Sequence, residues 1–239
     1  MHRGDPGMNA PETSLTFTLR QGGAERTETI TIKHAVIAGW TGRDQAALEK
    51  HIKELEELGV ARPATTPIFY RVASARLSHA SVIEATGEDS SGEVEFVLVQ
   101  HGGKLYVGCG SDHTDRKLET VNVTASKQMC EKPVSAVLWA YDDVKPHWEK
   151  LMLRSFITEG GARVLYQEGS VTAMKTPEEL ISRFVPSGKL EEGTLMFCGT
   201  LAAKGGIRPS GRFEFEIDDP VRGQKIGVGY DIATLPVLG

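Results

Sequence analysis

Cysteine is scarce in this chain. Cys109, Cys130 and Cys198 are three in 239 residues, odd in number, widely spaced and without a CxxC pair. That excludes a disulfide framework and a thiolate zinc site, and leaves buried free thiols in a reducing compartment. No run of about 18 apolar residues occurs, which excludes a transmembrane helix of ordinary length. The polar opening "MHRGDPGMNAPETS" has no apolar stretch of the kind a secretory signal needs. A soluble, cytoplasmic protein is expected. No basic run stands out and the net charge is −5, which argues against a nucleic-acid partner. GxxxxGK[ST], HExxH and GxSxG are all missing, and "GCGSDH" lacks the third glycine of a dinucleotide fingerprint. Neither a fixed-period repeat nor a low-complexity segment is found.

What is present is an ordinary globular composition, 40% hydrophobic and 25% charged, long enough for a substantial core. After a leader, expected to be disordered, over residues 1–13, residues 14–65 read as a small N-terminal β-hairpin and helix element. Two alternating strands flank Gly22-Gly23 and a third follows. Asp44 then caps a helix with Ala47, Leu48, Ile52, Leu55 and Leu58 on one stripe, closed by Gly59. The proline-containing "ARPATTP" marks the boundary to residues 66–239, where short strands and glycine turns dominate. Helices are expected at "DDVKPHWEKLMLRSFI" and at "TPEELISRFV", the second with Thr176 as cap and Pro177 at its first position. The class is α+β, mostly β, with peripheral helices.

The chemistry concentrates in "SGEVEFVLVQHGGKLYVGCGSDHTDRKLE". Residues two apart on a strand share a face, so Glu93 and Glu95 project together with Val97 and Val99, while Val94, Phe96 and Leu98 take the other. Both faces turn apolar within a residue or two, so this strand is expected to be buried on both sides. Paired carboxylates there repel one another and lose hydration unless a cation neutralises them. Gly102-Gly103 implies a hairpin that carries "KLYVGCG" back and delivers Asp112 to the Glu93 end. Two glutamates and an aspartate form a hard, all-oxygen ligand set suited to Mg²⁺, Mn²⁺ or Ca²⁺. The competing reading is a solvated strand end followed by a helix start, with Ser111 or Asp112 as cap and Asp115 in the first turn. His113 lies inside this turn and His79 upstream; each is a candidate for proton transfer, with a structural role as the alternative.

Four motifs in order carry a resemblance. Glu93-x-Glu95, then Asp112-x-Thr114-x-Arg116, then Lys127 in "SKQMCEKP", then "GTLMFCGT" resemble the fumarylacetoacetate hydrolase superfamily over about residues 68–239. More closely, they resemble an uncharacterised bacterial family in or near it. The resemblance implies a mixed β-roll with peripheral helices, usually a homodimer. It implies that Glu93, Glu95 and Asp112 hold a divalent cation, Mg²⁺ or else Mn²⁺ or Ca²⁺, and that Lys127 contacts the substrate. Gly199 and Thr200 would bind the substrate's carboxylate or oxo group, with Arg116 beside them or bracing the turn. The implied substrate is a small 2-oxo or 1,3-dicarbonyl carboxylate, cleaved hydrolytically at a C–C bond. Hydrolytic members carry a water-activating His/Glu pair upstream of the glutamate strand; here the nearest such residues, His79 and Glu84, lie much closer to it. Cys198 also replaces the first threonine of the family's Thr-Gly-Thr strand. A lyase or isomerase with the same metal site is therefore the alternative, and a non-catalytic carboxylate-binding module the third reading. Residues 14–59 lie outside the resemblance and are expected to serve as a lid or dimer element, with His51 or Arg43 able to supply a missing group.

Overall fold

The computed structural model describes residues 12–57 and 62–238. Most of the expected leader, the Leu58 stripe position and the Gly59 helix stop lie outside the described residues. β1 (Thr13–Gln21), β2 (Ala24–Ile32) and β3 (His34–Gly39) precede α1 (Gln45–Glu57). Then come β4 (Ile68–Val72), β5 (Leu77–Ser78), β6 (Val82–Thr86) and β7 (Ser90–Ser91). The central hairpin is β8 (Val94–His101) with β9 (Lys104–Ser111). After it run β10 (Thr114–Asp115), α2 (Arg116–Glu119), α3 (Val123–Met129), β11 (Lys132–Pro133), β12 (Val137–Ala140) and α4 (Tyr141–Val144). The chain closes with β13 (Met152–Glu159), β14 (Ala162–Ser170), α5 (Pro177–Phe184), β15 (Thr194–Phe197), β16 (Arg212–Asp219) and β17 (Gln224–Leu235).

An eight-stranded mixed sheet runs in the order β2-β1-β12-β9-β8-β15-β3-β4, and a five-stranded sheet in the order β14-β13-β16-β17-β6. This is the mostly β, mixed-roll class with peripheral helices that the sequence implied. Four pairings are parallel and join distant parts of the chain: β1 with β12, β3 with β15, β5 with β11, and β6 with β17. Residues 14–65 thus contribute three strands to the same sheet as the rest, and β3 pairs with β4 across the proline-containing boundary. One apolar cluster lies between the two sheets and includes Val94, Phe96 and Leu98 with Leu153, Phe213, Phe215 and Ile217. A second lies on the other face of the large sheet and includes Phe17, Leu19, Ile30, Val97 and Val99. β8 is therefore buried on both faces, as its near-continuous apolar run requires.

Two local expectations need correction. The segment from Asp142 to Ile157 is not one helix: α4 gives way to a 3-10 turn over Lys145–Lys150, and Met152 begins β13. Buried Leu153, Ser155 and Ile157 alternate there with the more exposed Arg154 and Phe156, a period of two that a helix cannot satisfy. The helix after the hairpin is capped by neither Ser111 nor Asp112. Asp115 caps it, its carboxylate accepting from the Leu118 N–H at 2.8 Å. By contrast α5 starts as expected, with the Thr176 hydroxyl accepting from Glu179 N–H and Pro177 in the first turn. Among the described residues no helix is long and apolar enough to cross a membrane.

Candidate metal centre

The Gly102-Gly103 turn, with φ of 58° and 75°, closes a two-residue hairpin whose twist suits the flanking strands. Its register pairs Val94 with Ser111 and Glu95 with Gly110. The pairing continues one residue further, where the Asp112 N–H donates to the Glu93 carbonyl at 3.0 Å. Glu93, Glu95 and Asp112 therefore meet at one end of the hairpin, each offering an oxygen within 4.8 Å of the other two. Oxygens bound to one ion can lie no farther apart than twice the metal–oxygen distance, about 4.2 Å for Mg²⁺ and about 4.6–5.2 Å for Ca²⁺. A mutual separation of up to 4.8 Å is thus of the order that the ligands of one hard divalent ion span.

Burial sets the electrostatics. Glu95 is 2% exposed and accepts the Gly199 N–H at 2.6 Å. Burial, and after it the charges of Asp112 and Glu93, push its carboxyl well above the usual carboxylate range; Lys127 and the Gly199 N–H oppose them. Asp112 is fully buried and behaves in the opposite way. Burial alone would raise its carboxyl, but the ammonium groups of Lys127 and Lys132 overcome that and hold it at about 2. Lys127, in the last turn of α3, reaches Asp112 Oδ2 at 2.5 Å and lies 3.9 Å from Glu93 Oε2. Burial works against its charge, yet Asp112 and Glu93 keep the ammonium protonated well beyond the ordinary lysine range.

Lys132 is the main residue that sequence reasoning missed. It follows the end of α3, and the short parallel pairing of β11 with β5 turns it back so that Nζ lies 3.1 Å from Asp112 Oδ1. It also donates to the His113 carbonyl. The available signal was a second lysine in "SKQMCEKP" at a position where the chain re-enters the core. Gln167 was missed as well. Its side chain accepts from Val94 N–H at 3.0 Å and Ser155 Oγ at 2.8 Å, and donates to Thr200 Oγ1 at 2.9 Å and the Leu201 carbonyl at 2.6 Å. It thereby ties the start of the glutamate strand to the segment after Gly199.

The other expected site residues divide. Gly199 and Thr200 stand at the cluster, but the Gly199 N–H is directed at Glu95 and the Thr200 hydroxyl donates to the Val94 carbonyl at 2.8 Å. Gly199 has φ of +99°, and a Cβ there would stand 1.8 Å from Thr41 Oγ1, so the position requires glycine. Arg116 braces the turn: Nε donates to Ser91 Oγ at 2.7 Å and Nη1 to Glu119 at 2.9 Å. Its Nη2 lies 3.1 Å from Glu93 Oε1, an ion pair without hydrogen-bond alignment. His113 faces away from the carboxylates. Its ring nitrogens bond to Tyr230 Oη at 2.8 Å and Ser90 Oγ at 2.9 Å. Burial, then the charges of Lys132 and Arg116, depress its pKa to about 3, so the ring is neutral. His79 Nδ1 bonds to the Val134 carbonyl at 3.0 Å and its ring meets Phe17 edge-on, within the second apolar cluster. The structure therefore brings neither histidine onto the carboxylates. Arg43 Nε donates to the Met174 carbonyl at 3.3 Å, and the His51 side chain lies outside the described residues.

Several solved structures share this fold. A crystal structure of Cg1458 with inhibitor superposes with a TM-score of 0.64 at 17% identity, over 90% of this chain and 84% of that one. A 2-keto-3-deoxy-D-arabinonate dehydratase complexed with magnesium and 2,5-dioxopentanoate gives 0.60 at 18% identity, over 85% and 74%. At such identities the likeness concerns the fold. Among curated proteins no sequence matches. A family profile described as Protein of unknown function (DUF2848) matches residues 38–230, which span both sheets and every residue of the carboxylate cluster, and the chain belongs to that family.

Proposed function

We propose that the protein is a divalent-metal-dependent enzyme acting on a small 2-oxo acid, and that its reaction is an elimination or related lyase step rather than hydrolysis. The observation that carries this is the convergence of Glu93, Glu95 and Asp112 oxygens within 4.8 Å, beside the buried ammonium of Lys127. A cation held by those oxygens would supply Lewis acidity to a chelated 2-oxo carboxylate and would stabilise the enolate left when the neighbouring carbon loses carbon dioxide or passes its proton to solvent water. Lys127 adds a fixed positive charge next to the position where negative charge develops. Its ammonium is held too firmly by Asp112 and Glu93 to serve as a base.

Hydrolysis needs a group that activates water. His113 is bonded at both nitrogens, and His79 holds the Val134 carbonyl through Nδ1 with its ring against Phe17, which supports placing neither in that role. The dehydratase of similar fold, with its magnesium and dioxo acid, supports the lyase reading over the hydrolase that the superfamily resemblance first implied. Mg²⁺ is the proposed ion. A homodimer and a small carboxylate as sole partner complete the proposal.

The test is metal-stripped protein incubated with 2-oxo sugar acids, oxaloacetate and acylpyruvates, with and without Mg²⁺ or Mn²⁺, followed by product identification. Metal-dependent loss of water or CO₂ from a 2-oxo acid is expected. Metal-dependent release of pyruvate plus a carboxylic acid from acylpyruvates would restore the hydrolase. Turnover that survives Glu95→Gln would remove the carboxylate cluster from the mechanism.

A further inference from the structure

Two of the three carboxylates already pair with the chain's own cations, while Glu95 accepts the Gly199 N–H. Asp112 holds Lys127 on one oxygen and Lys132 on the other, and Glu93 holds Arg116 at 3.1 Å. Lys132 and Asp112 are fully buried, Lys127 is 8% exposed by side chain, and Arg116 and Glu93 are 17% and 16% exposed. Glu119, which also pairs with Arg116, stands further out at 29% and is better solvated. Around a bound ion, with Glu95 deprotonated as a ligand, the six inner groups carry three negative and three positive charges and sum to zero.

A divalent ion entering a neutral, buried cluster leaves two positive charges uncompensated. In a low-dielectric site that excess is costly, because no counter-ion atmosphere screens it. A 2-oxo acid chelating the same ion supplies one negative charge through its carboxylate, and a second once its oxo carbon takes enolate character. We propose that the balanced charge of Glu93, Glu95 and Asp112 against Lys127, Lys132 and Arg116 makes the divalent ion and its anionic ligand bind as a pair, each weakly without the other. This rests on the metal-site reading above and adds that the ion arrives with, or is held by, the substrate rather than residing as a permanent cofactor.

The same arrangement separates ligand positioning from charge. If Arg116 served only to hold Glu93 in place, removing it would weaken metal binding. If it neutralises Glu93, removing it leaves the cluster net negative and tightens binding of the bare ion. Lys132 makes the same contrast from the interior, but it is pinned to the His113 carbonyl, so its loss also affects folding. Arg116, nearer the surface, is the better probe.

The experiment is calorimetric titration of the full chain with Mn²⁺ alone and at saturating oxalate, a dianion with two adjacent oxygens, with free Mn²⁺ corrected for its oxalate complex in solution. Oxalate is expected to tighten Mn²⁺ by about tenfold or more, and Mn²⁺ must tighten oxalate by the same factor. In Arg116→Met, Mn²⁺ alone should bind more tightly than to wild type, and the coupling to oxalate should shrink. Equal Mn²⁺ affinity with and without oxalate, where Glu95→Gln abolishes it, overturns the charge-pairing proposal while leaving the metal site standing. Weaker Mn²⁺ binding in a folded Arg116→Met overturns it too. Absence of Mn²⁺ binding under both conditions, or binding untouched by Glu95→Gln, overturns the metal site itself and this proposal with it.

Discussion

Gly199 is where backbone geometry and the candidate metal centre meet most tightly. Its φ of +99° lies in a region that L residues rarely occupy. A Cβ would stand 1.8 Å from Thr41 Oγ1, 3.0 Å from Thr41 Cβ and 3.2 Å from Met174 Cγ. Gly199→Ala therefore carries two separable costs. The backbone cost is about 1–3 kcal/mol for holding a non-glycine residue in a sparsely populated region. The overpacking cost is about 1–3 kcal/mol more, because Thr41 is itself buried and cannot retreat freely. The expected loss in stability is about 2–6 kcal/mol by equilibrium urea unfolding. Thr41→Ala in the same chain removes the 1.8 Å contact and should recover most of the overpacking share but none of the backbone share. The double-mutant cycle should then show a favourable coupling of about 1–3 kcal/mol between the two positions. Any shift of residue 199 also moves the N–H that faces Glu95 at 2.6 Å, so Mn²⁺ affinity should fall alongside stability. Strict additivity of the two substitutions, or a Gly199→Ala protein as stable as wild type, would refute the close approach of Thr41 to Gly199.

Three further outcomes follow from contacts at the site. Asp112→Asn leaves the buried ammonium groups of Lys127 and Lys132 without their shared anion, and should cost about 3–5 kcal/mol in denaturant unfolding and abolish Mn²⁺ binding. Gln167→Leu orphans the Val94 N–H and the Leu201 carbonyl and should cost about 2–4 kcal/mol, detectable as a lowered urea midpoint with an unchanged slope. His113 keeps its proton off in the native state down to about pH 3, whereas the unfolded chain takes one up near 6.5. The native protein should therefore be most stable with respect to this group above pH 6.5. It should lose about 4–5 kcal/mol as pH falls from there to 3, a loss flattened in His113→Gln; an acid limb unchanged by that substitution would contradict a buried neutral ring.

The glutamate strand and its hairpin were legible because strand periodicity and a two-residue turn leave no freedom of register. Once Glu93 and Glu95 share a face and Gly102-Gly103 closes the turn, Asp112 can arrive only at the Glu93 end. The partners of that site were less legible for a physical reason. Lys132 reaches Asp112 only because β11 pairs with β5, a contact between segments more than fifty residues apart. The His113 ring is aimed by Tyr230, 117 residues further on, so its neutral, structural state depends on a sheet not yet assigned when the turn is read. Gln167 carries no charge, and nothing local distinguishes it from a solvent-facing strand residue. The absence of a helix past Leu151, where the sequence predicts one, has another origin. Proline at position 146 already limits helix continuation there, and the alternation over Leu153, Ser155 and Ile157 is the strand signal that follows it.

The parallel pairing of β6 with β17 has a consequence for the order in which the molecule is made. A parallel pair cannot close until its second strand exists, and here that strand is the last among the described residues. The same strand carries Tyr230, which grips His113 immediately beside Asp112. During synthesis the three carboxylates and their lysines leave the ribosome well before Tyr230, at a time when the sheet that aligns their turn has an open side. Assembly of the centre is thus a late event of high contact order. A nascent chain stalled before residue 224 would carry every ligand and yet lack the strand that fixes the turn between them.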